Sequence, residues 1–163
     1  MNLLFSTLIL FGSFAALACP KLAGNYKCMA GGEVGIFVIA ESQINGSTLY
    51  TFSPKLMGLY SHMAVTGNTE VGDFFQDKKL SNGKPLFTND KYRAVCSENS
   101  IMSQWSLNAM NWSGNLVAQE WSGLTNIVAS TNGVTVLDSY QHVYKFENDR
   151  TEKKQFFMNC EKF

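Results

Sequence analysis

Charge imbalance, histidine, proline and any sustained helical period are what this chain has least of. Thirteen Lys and Arg offset thirteen Asp and Glu, so the formal net charge is zero. The only adjacent basic pairs are Lys78-Lys79 and Lys153-Lys154, and no basic stripe interleaves with aromatics. That excludes nucleic acid or an anionic membrane as an expected main partner. There are two histidines, His62 and His142, far apart in the chain, and no Cys-x-x-Cys or His-x-x-x-His spacing, so no metal site is assigned. No Gly-x-Ser-x-Gly elbow occurs. His142 and Asp138 could serve a Ser/His/Asp arrangement, but nothing nominates its nucleophile. No catalytic residue and no cofactor is therefore assigned, and the chain is not expected to be an enzyme. Internal repeats, low-complexity tracts and linkers are absent, which points to one domain.

The first eighteen residues carry no charged side chain. They run from Leu3-Leu4-Phe5 through Leu8-Ile9-Leu10-Phe11 to the small residues at Ala16 and Ala18. This reads as a secretory signal, residues 1–18, cut before Cys19. An uncleaved anchor is the alternative, although a span needs about 20 apolar residues and Gly12 and Ser13 interrupt the run. Acylation of Cys19 is a further alternative. Leu17 sits one place too late for a lipoprotein signal, and lipid on Cys19 would leave an odd number of thiols. The expected mature chain is a single disulfide-bonded domain over 19–163, secreted or periplasmic, with no transmembrane span.

Four cysteines, Cys19, Cys28, Cys96 and Cys160, allow three pairings. Proximity favours Cys19–Cys28, which leaves Cys96–Cys160. By loop-closure entropy these would contribute about 2.5 and about 4 kcal/mol.

Apolar, β-branched and aromatic residues come in short runs divided by turn signals. Glu33 to Glu41 places Val34, Ile36, Val38 and Ala40 on one face and Phe37 and Ile39 on the other, predicting a strand covered on both sides. Asn45-Gly46 is a hairpin signal, because both central positions of a type I′ turn need positive φ; Ser47 to Phe52 returns. From Ser53 to Asp90 the pattern weakens. Leu56-Met57-Gly58-Leu59-Tyr60 fits a helical turn or loop, Ser61 to Thr66 a short strand, and Glu70 to Leu80 two helical turns around Val71, Phe74 and Phe75. Strands resume at Lys91 to Ser97 and Ile101 to Leu107. A loop is expected over Asn108 to Asn115, then strands at Leu116 to Trp121 and Thr125 to Ser130. Asn132-Gly133 gives a second hairpin, followed by Val134 to Leu137, His142 to Phe146 and Gln155 to Phe163. Short turns without helical crossovers predict an antiparallel meander. Closing on itself removes its edges, so the expected fold is an all-β, up-and-down barrel of roughly 8–10 strands, with a sandwich as alternative.

The opening Leu22-Ala23-Gly24-Asn25-Tyr26 resembles the Leu-x-Gly-x-Trp that begins the first strand of lipocalins, with Tyr in place of Trp. The resemblance implies a lipocalin-like barrel, with Gly24 bending the chain into the strand and Tyr26 closing the floor. It also implies a cavity for a small apolar ligand.

In an unbroken strand Asp138, Tyr140, His142, Tyr144 and Phe146 share one face. Pointed inward, this stripe supplies the apolar wall with a few polar groups that marks a ligand pocket; the alternatives are a turn at Asp138-Ser139 or a solvent-facing stripe. Tyr140, His142, Tyr144 and Trp105 are the candidate ligand-binding residues. Trp105, Trp112 and Trp121 could line a cavity, but large aromatics in a β domain are more often core. Met57, Met63, Met102 and Met110 could likewise give an adaptable lining, with the filling of irregular core gaps the favoured role. The favoured function is a non-enzymatic binding protein holding a small apolar or amphipathic ligand. A protein-interaction module using loops 53–90 and 108–115, of inhibitor or adhesin type, is the alternative. Asn45-Gly46-Ser47 and Asn111-Trp112-Ser113 satisfy the glycosylation sequon.

Overall fold

A computed structural model describes residues 19–30, 32–53, 61–73, 75 and 77–163. The signal-like segment 1–18, the Leu56–Tyr60 run and Phe74 lie outside the described residues. Alternation of inward and outward side chains builds ten strands: β1 (Gly24–Ala30), β2 (Glu33–Ile44), β3 (Ser47–Ser53), β4 (His62–Val65), β5 (Thr69–Val71), β6 (Phe87–Cys96), β7 (Ser100–Met110), β8 (Val117–Ser130), β9 (Gly133–Tyr144) and β10 (Arg150–Lys162). They form one sheet in the order β4-β3-β2-β1-β10-β9-β8-β7-β6-β5, with antiparallel pairing throughout. Its two edges meet: Ala64 N–H in β4 donates to Tyr92 Oη in β6 (2.9 Å), and Gly67 N–H to the Ala94 carbonyl (3.0 Å). The result is a nearly closed up-and-down barrel. Among the described residues no helix is long and apolar enough to cross a membrane.

The interior is packed with Phe37, Ile39, Tyr50, Phe52, Met63, Ile101, Leu107, Ile127, Val136 and Met158, all at most 2% exposed. One end is closed by the opening segment. Leu22 is buried, Tyr26 Oη donates to its carbonyl (2.5 Å), and Tyr50 Oη donates to the Pro20 carbonyl (2.5 Å). Tyr26 stacks on Phe37 at 5.4 Å.

The disulfides are Cys19–Cys96 and Cys28–Cys160, not the pairing that proximity favours. Register decides it: β1 lies beside β10, and Cys28 directly faces Cys160. The segment before β1 crosses the floor, which leaves Cys19 beside the end of β6. Two disulfides belong to an oxidising compartment.

Other departures share one cause, long-range pairing. Val34, Ile36 and Val38 of β2 are 56%, 62% and 41% exposed, so only one face of this strand is covered. Thr69–Val71 is strand β5, formed against β6, in place of the start of a helix. The separate runs at 116–121 and 125–130 are one strand, as are those at 134–137 and 142–146 up to Tyr144, because each is paired along its length. Asp138-Ser139 is therefore strand, and Phe146 lies beyond β9, exposed. The loop expected from Asn108 starts at Asn111, since β7 continues to Met110. Asn45 and Gly46 both have positive φ (51° and 79°), as a type I′ hairpin requires. At the second Asn-Gly, Asn132 is turn but Gly133 already begins β9.

Candidate functional site

The stripe on β9 points inward from Asp138 to Tyr144. Asp138 is 2% exposed; its Oδ1 accepts from Thr125 Oγ1 (2.8 Å) and from Trp105 Nε1 (3.3 Å). Burial pushes its carboxyl above the usual carboxylate range, and those two donors oppose the rise. His142 lies flat against Trp121, centroids 4.2 Å apart, with Tyr140 at 5.4 Å and Tyr144 at 6.4 Å. Trp121 in turn meets Phe87 and Phe75 edge-on. Burial first, and then the Lys154 ammonium, lower the His142 pKa, while Glu152 opposes. At the rim Tyr144 Oη donates to Glu152 (3.0 Å), and the Arg150 guanidinium sits 4.2 Å above the Tyr144 ring. Thus Trp105, Tyr140, His142 and Tyr144 are on one interior wall, as the alternation requires, and they are packed against one another and their neighbours. His62 is elsewhere, exposed and 3.6 Å from Asp73. No group of three potential metal ligands occurs among the described residues.

A second feature lies on the opposite side of the same strands. Where β6 to β10 run side by side, the outer surface forms an open trough of about 810 Å³. Cross-strand register arranges its walls in two rows. Thr69, Arg93, Gln104, Leu124, Ser139 and Gln155 face one another in succession from β5 to β10. Lys91, Ser106, Ser122, Gln141 and Lys153 make the adjacent row from β6 to β10. Ser106, Ser122 and Ser139 are short and lie in the middle, whereas arginine, lysine and glutamine side chains stand toward the two sides. Gln141 Nε2 donates to Ser122 Oγ (3.4 Å), and Arg93 Nε to the Gly67 carbonyl (2.5 Å).

The floor is shaped by Gly123. It belongs to the inward row Tyr92, Trp105, Gly123, Tyr140 and Lys154. A Cβ at this position would lie 2.6 Å from Trp105 Cζ2 and 2.8 Å from Tyr140 Cβ. Only a residue without a side chain lets the indole press against β8 here, and Ser122 and Leu124 flank that point on the outer face. Lys91, Arg93 and Lys153 line the trough from the outer rows and Lys154 from the inward row, and no carboxylate lines it.

Sequence reasoning found the inward stripe and missed these outward rows. The local signal was present: Lys91/Arg93, Gln104/Ser106, Ser139/Gln141 and Lys153/Gln155 are polar pairs spaced by two within strands. What joins them is register, which no single strand reveals. No family model, curated protein or solved structure matches the chain.

Proposed function

We propose that this is an exported, non-enzymatic binding protein whose ligand face is the outer trough across β6–β10. The observation that supports this most directly is the pair of polar rows, broken only at Leu124, with hydroxyls in the middle and longer donors along the sides. Binding surfaces commonly combine a preformed concavity with a few convergent polar groups, and a barrel tied by two disulfides holds such a surface rigid. The interior stripe then acts from behind: Trp105 and Tyr140 fill the space under Gly123 and fix the curvature of the floor. The expected secretory signal and the two disulfides agree with a site that works outside the cytoplasm.

The test is Ser122→Tyr, which places a ring in the middle of the trough. Purified mature protein and this variant are compared on an immobilised glycan array and with a displaceable fluorescent fatty acid. Selective glycan retention that the variant loses, with unchanged thermal unfolding, supports the proposal. Saturable, displaceable fatty-acid binding that the variant keeps would move the ligand into the barrel and overturn it.

A protein-interaction role has one observation in its favour. Trp112 is 85% exposed on a loop that Asn111 organises, its Oδ1 accepting from Ser113 Oγ, Asn115 N–H and Leu116 N–H. A bare tryptophan on a fixed loop is the kind of anchor that dominates protein interfaces. Trp112→Ala abolishing capture of a co-purifying protein would favour this reading.

A further inference from the structure

We infer that the trough recognises an acidic oligosaccharide, a polyhydroxylated chain carrying carboxylate or sulfate groups at more than one point. This rests on the trough being the binding face and names what it takes. Three cations, Lys91, Arg93 and Lys153, stand on the two outer rows and none of the thirteen carboxylates lines the trough, in a chain of zero net charge. The trough is thus locally cationic, which attracts anions.

Placement of the cations sets the ligand's length. Lys91 and Lys153 stand at opposite ends of one row, four strand spacings apart. At 4.7–4.9 Å per spacing that is roughly 19 Å along the sheet. The separation exceeds the Debye length of about 8 Å at physiological ionic strength. The two ends therefore act as independent anion sites, and a single small anion cannot satisfy both. Between them Ser106, Ser122 and Gln141 offer neutral donors and acceptors, which suit ring and exocyclic hydroxyls.

The other polyanions fit less well. Tyr92, Trp105 and Tyr140 belong to the inward row, so neither of the two outer rows carries an aromatic ring on which bases could stack. Leu124 is the one large aliphatic side chain of the two outer rows, too little for an acyl chain. A chain of hydroxyls with spaced negative charges matches both the floor and the ends.

Isothermal titration with mature protein distinguishes the outcomes. The probes are a sulfated heparin-derived oligosaccharide, a carboxylate-only oligogalacturonide and a neutral maltooligosaccharide of matched length. An acidic probe is expected to bind and weaken with added salt, and the neutral one not to bind. Preference for the heparin fragment assigns sulfate, and equal binding assigns carboxylate. Lys153→Gln and Arg93→Gln should each weaken binding about two- to five-fold, Ser122→Tyr should abolish it, and Lys78→Gln should leave it unchanged. Each variant is checked for wild-type thermal unfolding. Failure of both acidic probes to bind overturns the inference. If the neutral probe binds as tightly and Ser122→Tyr removes both, the trough stands and the acidic ligand falls. Acidic binding indifferent to Ser122→Tyr and to both charge substitutions overturns the trough as well.

Discussion

Gly123→Ala isolates the contact that joins the barrel's interior to its outer surface. Alanine is the better strand residue, and on backbone grounds alone the change would stabilise by about 0.5–1 kcal/mol. The added methyl, however, meets Trp105 Cζ2 at 2.6 Å, Trp105 Cε2 at 2.7 Å and Tyr140 Cβ at 2.8 Å. Neither neighbour can withdraw freely. Trp105 is 5% exposed and its Nε1 is held by Thr125 Oγ1 and Asp138 Oδ1, while Tyr140 packs against both Trp105 and His142. Overpacking of this kind costs about 1–3 kcal/mol. The steric term wins, and the expected net effect is about 0.5–2 kcal/mol of destabilisation. In a chain of this size it corresponds to a fall in Tm of about 2–6 °C.

Urea denaturation followed by circular dichroism measures it, and a double-mutant cycle with Trp105→Phe assigns the cause. Removing the outer edge of the indole makes room for the methyl, so the double variant should be more stable than the sum of the single losses by about 1 kcal/mol. A neutral or stabilising Gly123→Ala, or strict additivity with Trp105→Phe, would refute the account of how β8 and the indole are pressed together.

Three further outcomes follow from the same interior and its ties. Asp138 has its folded pKa raised by burial, so the stability it lends is present in acid and lost as pH rises through that value. Asp138→Asn should therefore be the more stable protein at pH 7, by about 1 kcal/mol, and lose its advantage as pH falls to the ordinary aspartate range. A wild type that is the more stable at pH 7 sinks this. His142 has its pKa lowered below the ordinary 6.5, so its contribution is present above that pH and lost as pH falls towards the lowered value. The Tm of His142→Phe should decline less than wild type on acidification below pH 6.5, and parallel curves would exclude the effect. Non-reducing peptide maps should return Cys19–Cys96 and Cys28–Cys160. Loop-closure entropy gives their removal costs of up to about 4.5 and about 5 kcal/mol, so a Cys28→Ser/Cys160→Ser variant that unfolds at the wild-type urea midpoint would contradict the longer closure.

How far the chain could be read in advance depended on the range of the interactions involved. Alternation is local, so the all-β class, the inward stripe of Tyr140, His142 and Tyr144, and the Asn45-Gly46 turn were legible. The cysteine pairing was not, because it depends on β1 lying beside β10, a neighbour relation between the two ends of the chain. β5 was misread as helix for the same reason. Glu70-Val71 with nearby phenylalanines has a plausible helical spacing, and only pairing with Lys91, Tyr92 and Arg93 makes it strand. β2 was expected to be covered on both faces because Val34, Ile36 and Val38 are apolar, yet an apolar side chain does not by itself bring a partner layer.

The candidate site is the extreme case of this dependence. Each strand from β6 to β10 contributes two outward residues, and none of those pairs differs in composition from an ordinary solvated strand face. Their meaning arises when register sets Ser122 between Ser106 and Gln141, and when Gly123 lets the interior draw β8 inward at that point. A one-residue slip of β8 would turn Trp121 outward and Ser122 inward, emptying the aromatic end of the barrel while removing the middle of the trough. The packing of Trp105, Trp121 and His142 thus holds the register on which the outer rows depend. Core and surface here depend on one geometric variable, and a substitution that lets β8 slide must damage the stability of the barrel and the shape of the proposed binding face together.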